Sequence, residues 1–283
     1  MGCLAGVDGW DAPQAAVAVI GGHARGVLAM VGESGRRSRW ASVTKLATAL
    51  ATLVAVEEGT VDLDEPAGPP GATVRHLLAH ASGLAFDRDG TLAAPGRRRI
   101  YSNTGYEVLA GHVASRAAMP FERYLDEAVI DPLALGHTRL EGSPAAGLVG
   151  PLDDLVRLAT ELMAPTLISP GTFSTATTTA FAGLAGVLPG FGRQAPLDWG
   201  LGFDLKDSKS PHWTGTRNSP VTYGHFGGSG SFLWVDPEAD LACVALSGRD
   251  FGAWARAAWP VLSDAVLDEF GRHRSGSFES RAE

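Results

Sequence analysis

Short apolar, β-branched segments stand near both ends of the chain, and their positions constrain the fold more than any other feature of the sequence. Residues 15–20 and 26–31 are separated by Gly21 and Gly22, which predicts a two-stranded hairpin. Three further strands are predicted late in the chain, at residues 221–226, 231–235 and 241–247. The segment between the two groups carries mainly helical patterns. We therefore expect an α+β fold in which strands from both ends form one antiparallel sheet, with a helical lobe inserted between them.

The helical patterns predict one domain, residues 1–272, made of two lobes. Helices are expected at residues 46–58, 74–80, 105–117, 121–129, 152–162 and 251–270, with a helix and a loop at 172–192. The α/β lobe would comprise residues 1–38 and 198–272, and the helical lobe residues 39–197. The polar residues 273–283 are expected to form a disordered tail. The cleft between the lobes is the expected place for a binding site.

The charge and composition exclude several classes of function. The net charge is −8, from 31 acidic and 23 basic residues that are spread along the chain, which gives no electrostatic footprint for nucleic acid. No apolar stretch reaches the ~18 residues that a membrane span requires, and residues 1–22 lack the pattern of a signal peptide. The sequence as it stands therefore predicts a cytoplasmic protein. Its oligomeric state is left open.

The two cysteines point to neither a disulfide scaffold nor a metal site. The chain has two cysteines, Cys3 and Cys243, and Cys243 lies in an apolar segment where it is expected to be a small buried side chain. No other pattern calls for a bound metal or an organic cofactor, so we expect none.

Ser42 and Lys45 stand three residues apart at the head of a predicted helix. Residues at this spacing share one helix face, so the hydroxyl and the amine can come within hydrogen-bond reach. The positive end of the helix dipole disfavours an ammonium there and would help to keep the lysine neutral, as a base requires. The alternative is that Ser42 only caps the helix and Lys45 is a solvated surface residue. Lysine is rare in the chain, since the others are Lys206 and Lys209.

Two further motifs follow this pair in order along the chain. Tyr101 and Asn103 stand in a YSN segment before a predicted helix, and His225 and Gly227 stand in an HFG segment of a predicted strand. Together with their surroundings they resemble the serine beta-lactamase and penicillin-binding-protein superfamily, in the branch of class C beta-lactamases, family VIII esterases and D-alanyl-D-alanine carboxypeptidases. The resembling segments are ASVTK at 41–45, HLLAHASGL at 76–84, IYSNTGYEVL at 100–109, WGLGF at 199–203 and GHFGGSG at 224–230.

This resemblance implies a beta-lactamase-like fold and a role for each motif residue. In the family the serine is acylated, the lysine is its base and the tyrosine completes proton transfer, which gives these roles to Ser42, Lys45 and Tyr101. A neighbouring lysine would favour the phenolate of Tyr101. The residues that would bind substrate are Asn103, His225, Gly227 and Gly228. The backbone N–H groups of Ser42 and Gly228 would form the oxyanion hole.

The third motif departs from the family pattern in a way that bears on the substrate. His225 stands where the lactamases have a lysine, so a fixed positive charge is missing from the side of the site that meets a substrate carboxylate. The replacement favours small neutral esters or amides. The alternatives are a beta-lactamase or D-Ala-D-Ala-type peptidase that acts on carboxylate-bearing substrates, and a non-catalytic member of the fold that only binds a ligand.

Several other residues leave alternatives open. His76 and His80 have a zinc-like spacing but lack the companion glutamate, so His80 is expected to be structural. Tyr106 is the alternative to Tyr101 as the catalytic phenol, and Asp198 or Asp204 could orient His225. The arginines at 97–99 could be solvated loop charge or could bind an anionic substrate. The large aromatic residues Trp40, Trp199 and Trp213 could belong to the core or line the pocket.

Overall fold

The computed structural model describes residues 2–22 and 26–271, and within them six strands form the main sheet. Its strands are β1 (Ala16–Gly21), β2 (Gly26–Val31), β8 (Asp204–Leu205), β9 (Tyr223–Gly227), β10 (Ser231–Asp236) and β11 (Leu241–Leu246). They lie in the order β2-β1-β11-β10-β9-β8. Each strand of this sheet pairs with its neighbours in the antiparallel direction. The predicted α+β fold is therefore confirmed.

The first strand completes the sheet from the far end of the chain. β1 pairs with β11 from Ala16 opposite Leu246 to Gly21 opposite Leu241, and all six residues of β1 are buried. Because side chains alternate along a strand, Val17 and Val19 join the core on one face and Ala18 joins the core on the other. A strand that is apolar on both faces must be covered on both sides, which explains why this segment lies inside the sheet.

Helices cover both faces. The helices are α1 (Thr44–Glu57), α2 (Val74–Leu78), α3 (Asn103–Ala117), α4 (Phe121–Leu125), α5 (Leu152–Met163), α6 (Pro170–Ala176) and α7 (Ala253–Phe270). α5 packs on β1, β10 and β11 from one side, and α1, α3 and α4 extend the core on that side. α7 and a 3-10 helix at Cys3–Trp10 cover the other face.

Most predicted helices are confirmed within a few residues of their expected bounds, and the misses are short elements. Two small sheets have no counterpart in the sequence-based prediction, one of β3 (Ser38–Arg39), β4 (Arg139–Leu140) and β5 (Leu148–Gly150) and one of β6 (Gly186–Leu188) and β7 (Gly192–Gln194). The helix expected at 121–129 ends as α4 and continues as a π-helical turn at Asp126–Ile130. The tail expected at 273–283 lies outside the described residues.

Both cysteines are free thiols. Cys243 is fully buried in β11, as predicted, and its side chain faces the same core cluster against which Cys3 packs from the start of the 3-10 helix. No helix within residues 2–22 and 26–271 is both long enough and apolar enough to cross a membrane.

Candidate active site

Ser42 lies in a tight turn immediately before α1. A 3-10 helix at Ala41–Val43 precedes α1, and Ala41 has a φ of +44°, a conformation rare for residues with a side chain. The Lys45 Nζ lies 3.4 Å from the Ser42 Oγ. Ser42 makes no capping hydrogen bond, and the Lys45 side chain is fully buried. The alternative of a helix cap beside a surface lysine is therefore wrong.

The buried Lys45 amine has two further partners. Its Nζ donates to the Asn103 Oδ1 at 2.7 Å and to the backbone oxygen of Ala145 at 2.8 Å. A neutral amine has two N–H groups and one lone pair. With both N–H groups engaged, the lone pair is left for the Ser42 hydroxyl. The arrangement therefore suits an amine that accepts the serine proton.

Burial is the main cause of the unusual pKa of this amine. Desolvation lowers the pKa of Lys45 from 10.5 to about 7, and the carboxylates of Asp87 and Glu107 counteract part of that drop. The sequence predicts that the helix dipole produces this effect, but the principal cause is the removal of the amine from water. Near neutral pH a substantial fraction of Lys45 is thus uncharged.

Tyr101 is the phenol that lies beside the pair. The Lys45 Nζ is 4.8 Å from the centre of the Tyr101 ring. Burial raises the pKa of Tyr101 well above its usual value, although the Ser42 hydroxyl opposes part of the rise. The expected phenolate is therefore wrong for the resting site, since desolvation outweighs any attraction from the lysine. The Tyr101 hydroxyl therefore keeps its proton near neutral pH.

Tyr106, the alternative phenol, is already engaged elsewhere. Its hydroxyl donates to the Leu78 backbone oxygen at 3.2 Å, inside the core. By contrast, the buried Tyr101 hydroxyl makes no well-aligned hydrogen bond with another described residue. Of the two phenols, Tyr101 is therefore the one whose hydroxyl is not taken up by a backbone carbonyl.

His225 lies on β9 and packs against the same tyrosine. The ring centres of Tyr101 and Trp199 each lie 5.7 Å from that of His225. Its Nδ1 is 2.7 Å from the Phe226 backbone oxygen, so Nδ1 carries the proton and Nε2 has a free lone pair. Burial and the nearby Lys45 lower the pKa of His225 to about 3. The imidazole is therefore neutral and presents an acceptor.

Neither carboxylate suggested as a partner of His225 performs that role. Asp198 accepts a hydrogen bond from the Gly183 N–H, and Asp204 is bound by Lys209, His212 and Trp213. The Phe226 carbonyl orients His225 instead. Apart from the rarity of lysine, no signal in the sequence points to this buried ionic cluster, because its members come together only when residues 204–213 fold back on themselves.

Glycines let β9 lie close to the turn that carries Ser42. A Cβ on Gly227 would lie 2.5 Å from the Trp40 backbone oxygen and 3.0 Å from the Ala41 Cβ, so only glycine fits there. Gly228 is exposed, and a Cβ there would meet nothing within 4 Å. The predicted oxyanion-hole residues, Ser42 and Gly228, therefore belong to two segments that are in close contact.

The two histidines with zinc-like spacing have separate structural partners. His80 accepts a hydrogen bond from the Ser102 N–H at 3.2 Å through its Nδ1, and its ring packs on Tyr101 at 4.6 Å. His76 stacks on Phe181 at 4.2 Å. The structural role expected for His80 is confirmed. That histidine also supports the loop carrying Tyr101, which sequence reasoning missed.

Both interpretations of the arginine run are wrong for Arg99, which is buried. Its guanidinium donates to four backbone oxygens, those of Ala79, Ala180, Phe181 and Leu197. Burial lowers its pKa to about 10, still high enough for a full charge at neutral pH. Arg97 and Arg98 are exposed.

The three tryptophans are all buried, and one of them contacts the site. The ring centre of Trp199 lies 6.0 Å from that of Tyr101, so this indole forms part of the wall around the phenol. Trp40 and Trp213 are buried in the two cores on either side of the sheet. All three tryptophans are therefore buried in the core, and Trp199 also packs on the Tyr101 ring.

Known proteins share this architecture. A family model described as Beta-lactamase matches residues 8–267. A crystal structure of a beta-lactamase from Mycobacterium bovis is 54% identical, with a TM-score of 0.93, and the match covers 95% of this chain and 100% of that one. A hydrolase with promiscuous acyltransferase activity is 20% identical with a TM-score of 0.73 over 92% of this chain and 95% of its own, which shows a common fold alone.

Curated relatives match over a shorter region. The D-alanyl-D-alanine-carboxypeptidase/endopeptidase AmpH of Escherichia coli (strain K12) is 27% identical over 143 residues, or 38% of this chain and 37% of that protein. The matched region thus spans well under half of that relative. The family model, by contrast, covers nearly the whole chain, and the chain therefore belongs to the beta-lactamase family of serine hydrolases.

Proposed function

We propose that the protein hydrolyses small neutral esters or amides through an acyl-enzyme on Ser42. The observation that carries this proposal is the buried Lys45 amine, 3.4 Å from the Ser42 Oγ and with a pKa of about 7. An amine in this state can take the serine proton at neutral pH, which turns a poor nucleophile into an effective one.

The proposed acylation follows from the arrangement of the donors. Lys45 takes the proton of Ser42, and the Oγ attacks the substrate carbonyl carbon to form a tetrahedral intermediate. The backbone N–H groups of Ser42 and Gly228 stabilise its oxyanion. When the bond to the leaving group breaks, Tyr101 donates its proton to the departing oxygen or nitrogen and is reprotonated from the Lys45 ammonium.

Hydrolysis of the acyl-enzyme would use Lys45 again as the proton acceptor. A water molecule gives its proton to the neutral Lys45 as it attacks the ester carbonyl, and the departing Ser42 Oγ recovers that proton from the Lys45 ammonium. Both half-reactions end with Lys45 uncharged and Tyr101 protonated, so the site returns to its resting state. No further proton acceptor is required.

The charges around the site support a substrate without a carboxylate. His225 is neutral and offers a lone pair, where an anionic substrate would need a donor. Asp87 and Glu107 are the acidic groups whose fields reach Lys45, and they would repel a carboxylate. These three residues together favour a neutral ester or amide over a carboxylate-bearing peptide or lactam.

A beta-lactamase or D-Ala-D-Ala-type peptidase is the second candidate. The 54% identical structure from Mycobacterium bovis is described as a beta-lactamase, and the Escherichia coli relative as a carboxypeptidase and endopeptidase. A protein of the same fold that binds a ligand without turnover is a third candidate.

Two chromogenic substrates distinguish these functions. We expect wild-type protein to hydrolyse p-nitrophenyl acetate faster than a chromogenic cephalosporin, and Ser42→Ala to lose ester turnover by about 10³-fold or more. Ser34→Ala is the matched control, because its hydroxyl donates to Asp153 at the surface. Ester turnover that persists in Ser42→Ala would contradict the nucleophile. Faster cephalosporin turnover would favour the second candidate, and the absence of both turnover and a covalent adduct by mass spectrometry would favour the third.

A further inference from the structure

A pocket of about 420 Å³ opens beside Tyr101. Three separate segments form its walls, namely the loop that carries Phe86 and Leu92, the segment that leads into Tyr101, and the β6–β7 hairpin with Val187. We call it the Phe86 pocket. Sequence reasoning did not identify it, because the hairpin was not predicted and the loop has no regular pattern.

The walls of the Phe86 pocket are mainly apolar side chains, several of which face solvent, and Arg98 and Arg99 complete the lining. Phe86 is 51% exposed, Leu92 52% and Val187 57%. Within residues 2–22 and 26–271, seven large hydrophobic side chains are exposed, and three of them meet here from segments far apart in the sequence. Exposed apolar side chains that converge at one place typically mark a binding surface, since exposing them there costs free energy in the unbound protein.

Hydrogen bonds to its backbone and a stacking contact of its ring hold Phe86 in place. Its backbone oxygen accepts hydrogen bonds from the N–H groups of Asn103 at 2.7 Å and Thr104 at 3.2 Å, at the start of α3. Its ring stacks on Tyr101 with centres 5.8 Å apart. The pocket is thus built on the same helix start as the site, and the Tyr101 ring is part of both.

We propose that the Phe86 pocket binds the apolar part of the leaving group, the alcohol or amine half of the substrate. This inference rests on the proposed acyl transfer, in which Tyr101 gives its proton to the departing atom. The leaving group would therefore lie near Tyr101, and the Phe86 pocket, which the same tyrosine lines, is the apolar space beside it. Aryl and medium alkyl alcohols fit its apolar walls and its volume.

A series of acetate esters tests the proposal. The acyl half stays constant while the alcohol grows from methyl to butyl, benzyl and naphthylmethyl. We expect kcat/KM of the wild type to rise along the series, and Phe86→Ala to reduce it about tenfold for the benzyl and naphthylmethyl esters, with little change for methyl acetate. Leu92→Ser should act in the same direction. Both residues are at the surface, so both variants should fold.

The matched control is Val221→Ser, which removes an equally exposed apolar side chain that lies outside the pocket lining. It should leave the whole series unchanged. A loss that is equal for all alcohols, or one that follows the acyl half in p-nitrophenyl acetate, butyrate and hexanoate, would overturn the proposal.

A binding experiment separates this proposal from the proposed function. In the Ser42→Ala variant, naphthylmethyl alcohol should bind, as measured by calorimetry, and Phe86→Ala in that background should weaken binding about tenfold. Binding without any ester turnover by the wild type would contradict the hydrolase while supporting the pocket. Turnover without this binding, and without a preference among alcohols, would contradict the pocket alone.

Discussion

At the scale of single residues, the Lys45 amine has the property on which the proposed chemistry depends. It is a cation in water, and burial is what lowers its pKa to about 7. Asn103 and Ala145 replace part of its lost hydration with hydrogen bonds, so the neutral amine is held in one orientation. The same burial leaves His225 neutral and Tyr101 protonated. One physical cause therefore sets the protonation state of all three groups.

We expect the pH dependence of ester hydrolysis to follow the Lys45 amine. Because the base is active only when neutral, kcat/KM should rise about tenfold per pH unit below 7, be half-maximal near pH 7 and level off above it. His225 has a pKa of about 3 and stays neutral across this range, and the raised pKa of Tyr101 keeps its proton in place. A profile that is flat between pH 6 and 9 would contradict this assignment.

Removing the acidic neighbours should move that profile in a defined direction. Asp87 and Glu107 favour the protonated amine, so Asp87→Asn or Glu107→Gln should lower the Lys45 pKa and shift the rising limb to lower pH. Both side chains are exposed, and the shift should therefore shrink as salt is added. Asp89→Asn is the control, since Asp89 is not among the carboxylates that raise the Lys45 pKa. A shift of equal size in that variant would show that the two carboxylates have no special influence on the amine.

Loss of the hydroxyl should have opposite effects on stability and activity at the two tyrosines, Tyr101 and Tyr106. Tyr101→Phe removes a buried hydroxyl that has no well-aligned partner among the described residues, so thermal stability should be kept or raised while kcat falls by about 10²-fold or more. Tyr106→Phe removes one of the two hydrogen bonds that the Leu78 carbonyl accepts and should lower Tm, at a cost of about 1 kcal/mol, with kcat largely kept. Thermal melts and kinetics of both variants check this. Equal losses of activity would contradict the choice of Tyr101.

At the scale of elements, the contact of β9 with the 3-10 turn at Ala41–Val43 brings the two proposed oxyanion donors together. The contact is made by backbone, because Gly227 leaves room for the Trp40 carbonyl. Ser229 and Ser231 fasten it from the next residues, since their hydroxyls donate to the Arg39 and Trp40 oxygens at 2.7 Å each. In this glycine-rich segment, Gly227 therefore allows close packing of the two segments, and Gly228 leaves open space for the proposed substrate.

Adjacent alanine substitutions in that segment should separate these two effects. Gly227→Ala places a methyl group 2.5 Å from a backbone oxygen, so the strand must move away and stability should fall by about 1–3 kcal/mol. Gly228→Ala meets nothing within 4 Å and should melt close to the wild type. Thermal or denaturant unfolding of the two variants makes the comparison. A Tm loss at Gly228 as large as that at Gly227 would contradict the packing argument.

At the scale of the whole molecule, the sequence predicts the secondary structure of single segments but not the contacts between distant segments. The strands at 16–21 and 241–246 and the helix at 103–117 follow from periodicity and turn residues. The motif spacing likewise predicts that Ser42 and Lys45 lie side by side. Three features depend on contacts between residues that no local sequence pattern predicts, namely the β6–β7 hairpin, the cluster around Asp204 and the Phe86 pocket.

Arg99 is the clearest case of a residue whose role only the assembled molecule reveals. In the sequence it ends a run of three arginines, but it is 2% exposed while Arg98 is at the surface. Its guanidinium joins the end of α2, the loop after α6 and the segment before Trp199, through the four carbonyls it binds. Two of those segments adjoin His80 and Trp199, which pack on the Tyr101 ring. A single cation thus adds four hydrogen bonds to the backbone contacts that also link these three parts of the chain.

Replacing this arginine should therefore affect stability much more than replacing its neighbour. Arg99→Met fills similar volume but leaves four carbonyls without their donor, and we expect a loss of about 3 kcal/mol or more in the free energy of unfolding. Arg98→Met should stay within about 0.5 kcal/mol, because an exposed charge contributes little. Denaturant unfolding at neutral pH measures both. Near-equal midpoints would show that the three segments hold together without Arg99, and would contradict its role as their common anchor.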